Sequence, residues 1–325
     1  MTIGGNYFAL AFDAKGSGLP VDDIAKAWRD PGNRLIWLNI TGEVDEVNNY
    51  NWLYEQSGLD DSVLDSLTAH ETRPRFYTHD DGLLVILRAL DLNPDADPED
   101  MLSVRVWVEA SRIITIERRP VAAIASLKKD LENGHGPLNG GDFLVALSDC
   151  ISLDMSDFLN NLDDDIDDIE DKMLAEDTPT LRQDLSSVRR RIIHLRRYLA
   201  PQREVMMNLL ALKTGFISDD NRFDLREVAD RLTRYVEMLD SGRERANVTH
   251  DELDSRMKAQ SNRTIFILSV VTVIFLPLNF FTSLLGINVG GIPGSKNEHA
   301  FALVCIIIIV IGFLEYLLFR KKKLL

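Results

Sequence analysis

Two apolar segments near the end of the chain constrain what it can fold into. Residues 264–285 read TIFILSVVTVIFLPLNFFTSLL, 22 residues without a charge. Residues 300–319 read AFALVCIIIIVIGFLEYLLF, 20 residues with a single charge, Glu315. At about 1.5 Å per residue, each gives roughly 30 Å of helix, the thickness of a bilayer core. Buried helices of a soluble core would be the bland alternative. Two such runs closed by Arg320-Lys321-Lys322-Lys323 fit that alternative poorly. Their position far from the N-terminus also argues against a signal peptide. The basic cluster places the C-terminus in the cytoplasm. With two spans, the domain before them is then cytoplasmic too, and the loop between them lies on the outer, periplasmic face.

Charge divides at the same place. The first 260 residues carry a net charge of −19 and the last 65 a net of +4, giving −15 for the whole chain. A domain this acidic does not bind nucleic acid non-specifically and favours cations. The two cysteines, Cys150 and Cys305, suit a reduced compartment and form no CxxC metal site.

Along the first 120 residues, strand-like and helix-like runs alternate. Strands are predicted at 7–13, 34–40, 82–90, 103–109 and 112–118, with short helices at 22–29 and 48–57. The loop Asn93-Pro94-Asp95-Ala96-Asp97-Pro98 interrupts them. This is an α/β domain. From about residue 142 the pattern turns helical. One helix is expected to about 175. A second starts at Thr178-Pro179, a cap followed by proline at the first helical position. A third runs from about 224, past Gly242, into the first span. At some 60 residues it would be about 90 Å long, which implies packing against copies of itself around an axis.

The chain thus divides into an α/β domain (1–140), a helical hairpin (141–215), a stalk helix (216–263), a first span (264–285), an outer loop (286–299), a second span (300–319) and a basic tail (320–325). The hairpin is polarised. Residues 154–177 hold eleven acidic side chains and one lysine, and the next helix holds seven arginines. A ladder of ion pairs along the hairpin is the plainer reading. The sharper one is that surplus aspartates gather divalent cations near a pore.

The first span is not uniformly apolar. Thr272, Asn279 and Ser283 share a helical face with Leu268, Leu276 and Gly286. An asparagine inside a membrane helix is costly unless it meets water or a partner. Polar glue between helices would explain one such residue. The alignment of Thr272, Asn279, Ser283 and Asn288 favours a lumen. Two spans cannot enclose a watery path, so the pore must be shared by several subunits. Gly286 would let a backbone carbonyl face the axis, and Asn288 would present a ring of neutral amide oxygens. Neutral oxygens suit a cation that keeps part of its water shell. Gly290, Gly291 and Gly294 let the chain turn back toward the second span.

These features resemble the CorA family of divalent-cation channels and transporters over the whole chain. The carriers are the acidic helix before a basic one, the long helix entering the membrane, Phe275-Leu276-Pro277-Leu278, Gly286-Ile287-Asn288, two C-terminal spans and the basic tail. The usual signature is Gly-Met-Asn. Isoleucine in the middle, followed by Val289-Gly290-Gly291-Ile292-Pro293-Gly294, looks like the ZntB zinc-transporter branch. The resemblance implies a CorA-like funnel, a homopentamer of membrane subunits with one central pore. Gly286 and Asn288 correspond to the family's filter positions. The departure from methionine disfavours magnesium and favours zinc. The outer loop offers only Glu298, beside His299, as an acid.

Zinc prefers nitrogen and sulfur ligands in closed sites. The six histidines are scattered, which fits weak, hydrated transit better than a tight site. His250-Asp251 with Asp254 is the one cluster near the stalk, and Asp251 or Asp254 would repeat as an acidic ring at the inner pore. The expected activity is divalent-cation transport through a homo-oligomer in the inner membrane, with zinc as substrate and no cofactor. Magnesium, cobalt, nickel and cadmium are the other cations such a pore would admit. A membrane-tethered sensor or scaffold is the alternative from a different class, but a tether predicts no polar stripe. No GxSxG, HExxH, Walker or dinucleotide fingerprint is present, so no catalytic residue is assigned.

Overall fold

A computed structural model describes residues 6–13, 15–42, 47–70, 72–97, 100–175, 180–213, 215, 217–287 and 298–321. In chain order the elements are β1 (Asn6–Phe12), β2 (Gly18–Pro20), α1 (Ile24–Arg29), β3 (Ile36–Thr41), α2 (Val47–Gln56), α3 (Asp61–Thr68), β4 (Arg75–His79), β5 (Gly82–Leu90), β6 (Met101–Val108) and β7 (Arg112–Glu117). Helices follow: α4 (Ala122–Glu132), α5 (Gly140–Ala175), α6 (Leu181–Ala211), α7 (Asp219–Leu285) and α8 (Ala300–Lys321). The chain falls into two compact units, Met1–His250 and Asp251–Leu325.

In the first unit the seven strands form one mixed sheet in the order β2-β1-β3-β7-β6-β5-β4. Only β3 and β7 pair in parallel, with Leu38 opposite Ile114. Alternation sorts the side chains of β3 between the two faces. Leu38 and Ile40 bury with Ile114, Ile116, Trp28, Trp52 and Leu64 in one core. Trp37, one residue out of phase, meets Phe143 of α5 edge-on at 4.9 Å on the other side. Both faces are therefore covered, which is why β3, β5 and β7 read as nearly continuous apolar runs.

Glu117, 4% exposed, sits in this interior. Its Oε1 accepts from Asn39 Nδ2 at 3.0 Å and Thr41 Oγ1 at 2.8 Å, and its Oε2 accepts from the Val121 backbone N–H at 2.8 Å. The carboxyl ties the parallel strand pair to the start of α4. Burial pushes its pKa up, and the three donated hydrogen bonds oppose that shift.

The sequence reading leaves out β2, α3, β4 and α4. β2 has three residues and β4 five, too short for a clear alternation. α3 is opened by Asp60, whose side chain accepts from the Ser62 backbone N–H at 2.9 Å. The start expected for the second long helix, at Thr178-Pro179, lies outside the described residues, and α6 begins at Leu181. α7 begins at Asp219, five residues before the expected 224.

Helices α5, α6 and the first part of α7 pack together through rows at helical spacing. Leu159, Leu162, Ile166 and Ile169 of α5 are buried, as are Leu185, Val188, Ile192 and Leu195 of α6. Leu232, Val236 and Leu239 of α7 are buried as well. Gly242 continues the helix where three helices converge. A Cβ there would lie 3.0 Å from Ile166 Cδ1 and 3.6 Å from Ile192 Cδ1. Its conformational freedom is not used; its lack of a side chain is.

Candidate functional site

The second unit holds the end of α7 and the whole of α8. Both have stretches long and apolar enough to cross a membrane, and neither stretch is buried within the chain. Phe301 is 83% exposed, Ile309 69% and Phe280 61%. So much apolar area in two helices must be covered by lipid or by other copies. Arg263 is exposed just before the first stretch, and Arg320 and Lys321 are exposed just after the second.

Within α7, Leu268, Thr272, Leu276, Asn279, Ser283 and Gly286 are separated by 4, 4, 3, 4 and 3 residues. At about 100° per residue they fall within roughly 80° of one another on the helix. All six are exposed, Leu268 by 66% and Leu276 by 65%. The Thr272 hydroxyl donates to the Leu268 carbonyl at 2.8 Å. Its proton is thus spent inside the helix, leaving an acceptor oxygen outward. Ser269 does the same toward the Ile265 carbonyl at 2.8 Å. Asn279 differs, because its amide makes no hydrogen bond among the described residues. An exposed amide in an apolar stretch demands water or a neighbouring chain.

At the end of the stripe, the Gly286 N–H donates to the carbonyls of Thr282 at 2.9 Å and Ser283 at 3.2 Å. A Cβ on Gly286 would stand 3.1 Å from the Thr282 oxygen. Glycine lets this last turn close tightly. Asn288 lies outside the described residues, as do Val289 and the glycines that follow it. Glu298 and His299 are exposed, and the His299 carbonyl accepts the Leu303 N–H at 3.1 Å, which starts α8. Asp251 is exposed and Asp254 half-buried, both on the part of α7 that opens the second unit. Among the described residues no group of three metal-ligating side chains stands ready to hold an ion. Both cysteines are free. Burial first, then the negative charges of Asp149, Asp154 and Asp130, push the Cys150 thiol up to about 11, so it is no thiolate ligand at neutral pH.

The charges of the helical hairpin pair in a pattern the sequence did not show. An ion pair crosses from α5 to α6, Asp165 with Arg191. Three α5 carboxylates, Asp163, Asp167 and Glu170, instead surround Arg245 of α7. Hydrogen bonds to Glu170 and then Asp167 push the Arg245 pKa above its ordinary value. Arg196 of α6 also reaches α7, holding Asp240 at 2.6 Å and depressing that carboxyl below its usual range. Arg245 is missed from sequence because it stands 75 to 82 residues from its partners, with no local signal.

The pattern of the family described as CorA-like Mg2+ transporter protein matches residues 32–321. The chain belongs to the CorA family. Curated relatives of this CorA-family chain include the divalent cation transporter CmaX of Pseudomonas aeruginosa. It is 37% identical over 290 residues, which are 89% of this chain and 87% of CmaX. The zinc transport protein ZntB of Pectobacterium carotovorum is 33% identical over 323 residues, 98% of this chain and 96% of the relative. Among solved structures, full-length CmaX superposes with a TM-score of 0.83 at 34% identity, covering 97% of each chain. The CorA magnesium transporter of Methanocaldococcus jannaschii superposes with a TM-score of 0.80 at 20% identity, covering 98% of this chain and 99% of that one, and speaks for the fold alone. The likeness to CmaX was not anticipated; the sequence pointed to the ZntB branch.

Proposed function

We propose that this CorA-family protein carries divalent cations across a bacterial inner membrane through a pore shared by several copies, with zinc as the favoured substrate. The observation that carries the reading is the exposed stripe of α7, with Asn279 in its middle making no hydrogen bond among the described residues. A single chain cannot surround water with two helices, so the stripe acts only when copies bring their α7 helices together. Thr272, Asn279 and Ser283 then offer neutral oxygens to a hydrated ion, while Leu268 and Leu276 narrow the path. Gly286 and Asn288 form the outer filter. Asp251 and Asp254 hold cations at the inner end by charge, without closing a site around them. Support for zinc comes from the relatives named for zinc transport and from the isoleucine at position 287. The basic flanks at Arg263 and 320–323 orient both termini to the cytoplasm.

The test is purified protein in liposomes loaded with a zinc-sensitive dye, with magnesium as the competing ion. Zinc added outside should raise the dye signal. Asn279→Leu should remove most of that flux while the oligomer keeps its size in detergent. Loss of the oligomer instead would make Asn279 an interhelical glue residue. Asn288→Ala should also lower flux without disturbing assembly; wild-type flux from it would remove Asn288 from the filter. No zinc signal with rapid magnesium uptake would overturn the zinc preference.

A further inference from the structure

Among the described residues, Asp163, Asp165, Asp167, Glu170, Arg191 and Arg196 of the helical hairpin form ion pairs between helices, and a second set of its charges does not. Asp157, Asp164, Asp168 and Asp171 are exposed and separated by 7, 4 and 3 residues, so they line one outer face of α5. Among the described residues Asp157, Asp164 and Asp171 form no ion pair, and Asp168 meets only Lys172 of its own helix at 3.8 Å. On α6, Arg189, Arg190 and Arg197 likewise form no ion pair among the described residues. Between them stands Ile193, 56% exposed. Leu153, 51% exposed, continues the acidic face of α5. The Asp165–Arg191 pair fixes how the two antiparallel helices line up. Counting from that pair, Asp164 and Asp168 stand level with positions 192 and 188, which bracket Arg189 and Arg190, and Asp157 stands level with position 199, two residues from Arg197. At the standard helical rise the acidic stripe, 157 to 171, spans about 21 Å and the basic one, 189 to 197, about 12 Å.

We propose that the acidic outer face of α5 in one copy docks on the basic outer face of α6 in the next, so that copies join head to tail. The occupant of each face is a second copy of this chain, and charge complementarity selects it. A two-fold contact of α5 on α5 would set aspartates against aspartates, and α6 on α6 would set arginines against arginines. Pairing α5 with α6 brings opposite charges together, and as a heterologous contact it forms a ring when its rotation closes, as the shared pore requires. A rotation about an axis parallel to the helices keeps each residue at its own height, so the matched levels of the two stripes meet. Ile193 and Leu153 add apolar contact inside a charged seam. The aspartates of this face are thereby covered by arginines and do not collect cations. The proposal rests on the oligomeric pore above and adds which surfaces make the contact.

Two single-cysteine variants of the full-length protein supply the test, each on a Cys150→Ser, Cys305→Ser background. Asp164→Cys and Arg190→Cys chains carrying tags of different mass are produced together, purified in detergent and oxidised. The expected product is a disulfide-linked pair holding one chain of each kind, with few same-variant pairs. A normal-sized oligomer without mixed pairs overturns the interface and leaves the shared pore standing. Abundant Asp164→Cys homodimers overturn it in favour of a two-fold contact. A wild-type protein that runs as a monomer overturns both the interface and the pore. A charge reversal gives a second reading. Asp164→Arg with Asp168→Arg, or Arg190→Glu with Arg197→Glu, should raise the monomer fraction about tenfold at low salt. All four changes together should return it toward wild type, and failure to do so sinks the pairing.

Discussion

A buried carboxyl and an exposed amide set the residue scale. Glu117 receives three donated hydrogen bonds inside the sheet, so glutamine in its place would point an N–H₂ at one of those donors. Glu117→Gln should cost about 1–3 kcal/mol of stability in the first unit. The pH dependence has a definite sign. Because burial raises the carboxyl's pKa, its contribution is full below the ordinary glutamate range and falls as pH rises through the raised value. The stability gap between wild type and Glu117→Gln should therefore narrow as pH is raised from about 4 toward 7. Denaturant melts across that range check it, and a gap that widens would contradict the assignment. Asn279 is the opposite case, an exposed polar group that makes no hydrogen bond among the described residues. Its place on a stripe was legible because helical spacing alone aligns 272, 279 and 283. That its amide goes unpaired among the described residues was not legible, because hydrogen bonding depends on coordinates.

Elements were legible where length made periodicity plain. α5 and α6 stand out by charge, and α7 by its uninterrupted pattern. β2 and β4 escaped because they have only 3 and 5 residues, whereas α3 and α4 escaped although they have 8 and 11. The parallel pairing of β3 with β7 was also hidden, because about 70 residues separate them and strand patterns carry no partner identity. Gly242 illustrates the limit best. In sequence it reads as a weakness in a long helix. In the structure it is where Ile166 and Ile192 approach α7, so that a Cβ would crowd the Ile166 Cδ1 at 3.0 Å. Gly242→Leu should overpack this junction and destabilise the first unit by about 1–3 kcal/mol. Thermal melting of the variant measures it. An unchanged melting temperature would mean that the three helices separate easily there. Arg245 lies three residues beyond, held by Asp163, Asp167 and Glu170, so the same variant should also loosen that charge cluster.

For the whole molecule, two exposed apolar helices and an acidic domain describe a chain that is incomplete alone. In the proposed pore its polar stripe faces water once copies surround it, and Leu276 is then a residue that narrows the path. It sits between Thr272 and Asn279 on the stripe and is 65% exposed in the single chain. If the copies turn this face inward, a ring of leucines forms a narrow apolar collar, and water leaves such a collar readily. A hydroxyl in each copy would hold water there. Leu276→Ser should therefore raise basal cation leak from protein-containing liposomes severalfold while the oligomer keeps its size. The alternative placement has its own signature. If Leu276 packs between helices, serine removes buried apolar area, worth about 1.5–3 kcal/mol per leucine, and assembly weakens. A variant with a smaller oligomer and lower flux would put Leu276 in a helix interface. One with intact size and raised leak puts it in the lumen, and because Leu268 shares the face, Leu268→Ser should then leak in the same direction.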